Sequence, residues 1–179
     1  MAVQYFTPKT YESLKMYVTL THFESAQDYL RYAFDKTDTV PIVNSGNYFE
    51  KQMVIAGSLL VEFPGMDPIT ATPGYIWPED GVDYNVDSSG VPVTAIEDNT
   101  RLYCVHPYPG DTLDINRVTL SLGDSHTISK GTIALVFGDN FTVNGNASTD
   151  NPKILVCQNG DAEIVASSEC KIVKFTVAQ

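Results

Sequence analysis

Cys104 and His106 are the residues whose types and spacing first suggest chemistry. They lie two apart in residues 101–106 (RLYCVH), so on an extended strand both project to one side. A thiol beside an imidazole is the minimum for a nucleophile with its base, although no further motif surrounds this pair. His106 also leads into Pro107-Tyr108-Pro109-Gly110. There it could act as a pocket base or an outer ligand, or be a strand-end histidine satisfied by one hydrogen bond. The familiar catalytic signatures are missing: no serine sits in GxSxG, and neither GxGxxG nor a Walker loop occurs. Asp111, Asp114 and Asp124 fall at turns, and DTLDI lacks the alternating carboxylates of a calcium loop, so turn chemistry accounts for them. Asn140-Phe141-Thr142 and Asn146-Ala147-Ser148 match the glycosylation acceptor pattern, a short pattern that also arises by chance.

A second group is aromatic. Tyr75, Trp77, Tyr84, Tyr103 and Tyr108 lie in or beside a stretch rich in Pro, Gly, Asp and Ser, residues 65–99. Tyrosine and tryptophan in such loops suit sugar stacking or a protein contact surface. Alternatively, they cover the edge of a core beneath long loops.

The elements that must position these residues are mostly strands. Residues 52–63 (QMVIAGSLLVEF) are almost continuously apolar, which predicts a buried strand or two strands bent at Gly57. Residues 101–106, 117–122, 132–137, 141–143, 154–158, 162–166 and 171–177 read as further short strands. Turn residues separate them, among them Gly123-Asp124, Gly138-Asp139 and the hairpin pair Asn144-Gly145. Strands every eight to twelve residues imply a sandwich or barrel. The N-terminal part reads differently. Thr7-Pro8 could open a helical turn. Thr21 and Glu24 have capping-box spacing, and Phe23, Ala26, Leu30 and Phe34 then share one helical face, predicting a helix over 22–35. Residues 16–20 suit a short strand or the end of a preceding helix, and 40–43 a short apolar piece.

Composition bounds the rest. The 179 residues, 43% hydrophobic, can bury one sizeable core. Eleven basic against 22 acidic residues give a net charge of −11. Without a basic stripe, nucleic acid is excluded as a partner. No apolar run has membrane-spanning length, and the start MAVQYFTPKT lacks a signal-peptide pattern. A soluble protein of the cytoplasm or a virion is expected. Cys104, Cys157 and Cys170 each sit among apolar neighbours without CxxC spacing, as buried free thiols do.

The runs SHTISKGTIALVFGDNFTVNG and ILVCQNGDAEIVASSECKIVKF resemble the first and closing blocks of the cupin family, in which strands and turn glycines alternate. The resemblance covers about a third of the chain, residues 121–175. It implies a mainly β, antiparallel jelly-roll or cupin-like β-sandwich with one or two N-terminal helices. The expected organisation is one domain over 1–179: a partly helical segment at 1–37 and a sandwich over 38–179, clearest at 101–177. In metal-binding cupins the first block supplies His-x-His and a Glu, the second another His. Laid on this sequence those positions fall on His126, Ile128, Thr132 or a neighbour, and Glu163, the last following Gln158-Asn159-Gly160. One imidazole and one carboxylate remain, which rarely hold a transition metal unaided. No cofactor is therefore expected, with His126 and Glu163 as the weak metal candidates.

Three functions fit. The first is a non-enzymatic structural or binding module, a dimer or trimer in an assembly such as a phage virion. The second is a divergent cupin enzyme or small-ligand binder with a degraded metal site, its pocket inside the barrel near His126, Glu163 and His106. The third is a carbohydrate-binding module using the loop aromatics, with glycan or protein as the partner.

Overall fold

The computed structural model describes residues 3–32, 50–77 and 90–178. By its contacts the chain gathers into two compact units, Met1–Thr10 with Met16–Asp111, and Tyr11–Lys15 with Thr112–Gln179.

The first unit holds strands β1 (Val3–Tyr5), β2 (Lys9–Tyr11, its last residue excepted), β3 (Met16–Phe23), β4 (Tyr29–Tyr32), β5 (Lys51–Ala56), β6 (Leu59–Val61), β7 (Ile69–Ala71), β8 (Ile76–Trp77), β9 (Val91–Ala95) and β10 (Thr100–Pro107). They form a larger sheet in the order β1-β3-β10-β5-β8, with β2 beside β3, and a smaller one in the order β4-β9-β6-β7. The core joins inward residues of both. Phe23, Val54, Trp77, Leu102 and Cys104 come from the larger sheet, and Leu30, Leu59, Val61, Ala71, Val91, Val93 and Ala95 from the smaller. β5 and β10 are buried along nearly their whole length, which explains why residues 52–63 read as one apolar run.

That run is broken where the sequence suggested. The β5–β10 register slips between Arg101 and Leu102, and Gly57 follows with φ +73, turning the chain from the larger sheet into β6 of the smaller. A Cβ on Gly57 would lie 2.8 Å from Thr100 Cα. The Thr100 hydroxyl donates to Glu97 O at 2.8 Å, pinning the same corner.

The second unit holds β11 (Leu113–Leu120), β12 (Ser125–Ile128), β13 (Ile133–Phe137), β14 (Phe141–Val143), β15 (Asn146–Ala147), β16 (Lys153–Val156), β17 (Ala162–Ala166) and β18 (Cys170–Val177). Two four-stranded antiparallel sheets result, β11-β18-β13-β16 and β12-β17-β14-β15. Ile128, Ala134, Val136, Phe141, Ile164 and Ile172 fill the space between them. Asn144-Gly145 makes the β14–β15 hairpin with both φ angles positive, 49 and 82, as a twisted two-residue turn requires. Asn144 N–H donates to Glu163 O at 2.9 Å, and Glu163 N–H donates to Asn144 Oδ1 at 2.8 Å.

The N-terminal helices are corrected. Residues 22–23 end β3, residues 25–27 turn, and residues 29–32 are β4; 33–35 lie outside the described residues. Phe23 and Leu30 do share a core, but through two strands joined by a turn rather than one helical face. The supposed cap, Thr21, is 4% exposed within β3, and the Glu24 carboxylate accepts from the Gln4 side chain. Asp28 instead closes the turn, accepting the Ser25 N–H at 2.9 Å. The helical turn expected from Thr7-Pro8 lies later, as a 3-10 turn at Glu12–Leu14. No helix among the described residues is long and apolar enough to cross a membrane.

Candidate functional site

The inner face of the first unit's larger sheet carries a polar row. Thr19 of β3 stands opposite Cys104 of β10, Cys104 opposite Gln52 of β5, and Gln52 opposite Trp77 of β8. Cross-strand partners share a face. Cys104 and Trp77 belong to the core between the sheets, so the whole row looks inward. Gln52, Trp77 and Cys104 are each 0% exposed. The adjoining row pairs Tyr17 with His106. Their rings stack at 4.3 Å between centroids, tilted by 5°, and His106 Nε2 lies 3.1 Å from Thr19 Oγ1. Tyr17 and Thr19 are half-buried, so this end of the row is the one nearer solvent.

Gln52 Oε1, Gln52 Nε2 and Trp77 Nε1 are buried without a hydrogen-bond partner among the described residues. Each such group costs about 1–3 kcal/mol, so native interiors rarely keep them without a use. The row therefore holds two donor groups and one acceptor that no described residue uses. Cys104 and His106 share its face, as their spacing predicted. Gln52 went unnoticed in the sequence because it opens an otherwise apolar run. The available signal was a primary amide two residues before Val54, on the same strand face.

Among the described residues the second unit has no buried polar side chain left without a partner. His126 pairs with Ile164 and Glu163 with Thr127, so the two metal candidates project from opposite faces of one sheet. Glu163 is exposed and His126 half-buried. Lys174 Nζ donates to His126 Nε2 at 2.8 Å. Burial and the Lys174 ammonium hold the imidazole below its ordinary value of 6.5. An ammonium on the ligand nitrogen and a carboxylate facing away do not fit the metal that the fold family implies. No cluster of three or more His, Cys, Asp or Glu side chains suited to a metal occurs among the described residues. Burial raises the thiols of Cys157 and Cys170, helped by Asp161 for the first and by Asp139 and Glu169 for the second.

The aromatics do not form one surface. Trp77 lies in the core, with the half-buried Tyr75 tilted beside it at 6.2 Å. Tyr103, 5% exposed, alternates with Leu102 and Cys104 and so faces away from the polar row. Tyr108 follows β10, and Tyr84 lies outside the described residues.

Two sheets facing across a core, built from short antiparallel strands, define a divergent cupin-like jelly-roll fold. Solved structures agree. HutD from Pseudomonas fluorescens SBW25 is similar, with a TM-score of 0.52 at 12% identity over 92% of this chain and 80% of that one. Salicylate 1,2-dioxygenase from Pseudaminobacter salicylatoxidans gives 0.54 at 9% identity over 93% and 72%. AerE from Microcystis aeruginosa gives 0.52 at 9% identity over 92% and 88%. No protein-family model matches the sequence, and no curated protein matches it either.

Proposed function

We propose that the protein is a divergent cupin-like small-ligand binder whose ligand occupies the interior of the first unit. The observation that carries this reading is the inward row of Thr19, Cys104, Gln52 and Trp77, with the Gln52 amide and the Trp77 indole N–H buried and without a partner among the described residues. The neighbours favour this reading over a virion subunit, since one of them is by name an enzyme acting on a small molecule. A glycan-stacking role for Trp77 has no exposed ring face to use. Assembly into a dimer or trimer remains compatible with either role.

Ligand-observed NMR with a library of small polar molecules tests the proposal. Binders should appear for the unmodified chain and weaken by about tenfold or more with Gln52→Leu, which removes the central contact. Hits that bind the variant equally well, or no hits at all, overturn it.

A further inference from the structure

The unsatisfied atoms also specify what the ligand must present, provided the interior is the binding site proposed above. We infer that the occupant is a neutral small molecule with an amide edge, a carbonyl oxygen beside an N–H as in a lactam or a primary carboxamide. Gln52 offers an acceptor, Oε1, and donors on Nε2, while the indole of Trp77 can only donate. One edge of the glutamine amide thus matches a ligand that accepts with its carbonyl and donates with its N–H. Trp77, opposite Gln52 in the register, adds a second donor on the neighbouring strand. An ionised carboxylate has no hydrogen to give and would leave Gln52 Oε1 unpaired. A ketone has the same defect, and an ammonium or a hydrocarbon leaves the indole N–H without an acceptor. The flanking inward residues, Val54, Leu102 and Cys104, suit an apolar remainder.

Trp77 is the sole tryptophan of the chain, so emission excited through the indole reports on this position alone. The experiment titrates the full chain with 2-pyrrolidinone, N-methyl-2-pyrrolidinone and cyclopentanone. The three rings are alike in size, and only the first carries the N–H. The free lactam should change the emission saturably and bind at least about tenfold more tightly than the other two. Gln52→Leu should reduce that preference to within about twofold. Equal binding by all three rings overturns the amide inference while leaving the interior a ligand site. No response to any ring overturns the proposed function as well. If Gln52→Leu does not fold, the comparison of free and methylated lactam on the unmodified chain decides alone.

Discussion

Gln52 shows how a single residue can work against the fold that holds it. A buried amide with neither oxygen nor nitrogen satisfied among the described residues penalises the folded chain. Gln52→Leu, close in volume and without polar atoms, should therefore raise the unfolding free energy by about 1–2 kcal/mol, read by urea titration without ligand. A loss of stability would mean that the amide is already satisfied. His126 gives a pH-dependent counterpart. Its folded-state pKa lies below the ordinary 6.5, so the unfolded chain takes up this proton first. Above about pH 6.5 the residue is neutral in both states and adds no pH dependence. As pH falls below that value it increasingly favours unfolding. His126→Gln should therefore flatten the fall in melting temperature on the acid side of pH 6.5 and leave its pH dependence above that value unchanged. At this scale the sequence was partly legible. The shared face of Cys104 and His106 followed from their spacing. The separation of His126 from Glu163 did not, because it depends on which strand faces which, and two residues laid on a family pattern carry no register.

At the scale of elements, turn chemistry was the most readable signal. Residues 162–166 were expected as a strand and form β17 with those bounds, and the Asn144-Gly145 hairpin stands where its dipeptide put it. The helix over 22–35 failed for a physical reason. Apolar residues seven apart satisfy a helical face, but they also satisfy two inward positions on strands separated by a turn. The β-branched and aromatic residues of β3 (YVTLTHF) favour the second arrangement. Gly57 is the element-scale test of the first unit. Alanine there meets both a left-handed backbone and the Thr100 backbone at 2.8 Å, so Gly57→Ala should destabilise by about 2 kcal/mol or more. Chemical denaturation measures this, and a neutral result would show that the corner between β5 and β6 relaxes freely.

For the whole molecule, the fold class could be read from strand rhythm, but the division into two units could not. The described part of residues 65–99 includes β7, β8 and β9, and the Pro-, Gly-, Asp- and Ser-rich composition of this stretch hid the second sheet of the first unit. Each unit buries its own apolar cluster, and among the described residues the first also buries the polar groups of Gln52 and Trp77 without a partner. Charge also acts at this scale. With a net charge of −11, the folded chain repels itself, and salt shortens the reach of that repulsion to about 8 Å near 0.15 M. Raising sodium chloride from a few millimolar to that level should increase the melting temperature measured by calorimetry. A decrease would show that attractive ion pairs outweigh the repulsion.

The reciprocal backbone and side-chain bonds between Asn144 and Glu163 have a chemical consequence for ageing. Asparagine before glycine ordinarily cyclises as the glycine nitrogen attacks the amide carbon, giving aspartate and isoaspartate through a succinimide. Here the Asn144 oxygen is tied to the neighbouring strand at 2.8 Å, which restrains that rotation while the hairpin is intact. Peptide mapping after prolonged incubation should find position 144 preserved in the native protein and deamidated once the chain is held in denaturant, so damage at this residue would record how often β14 and β17 come apart.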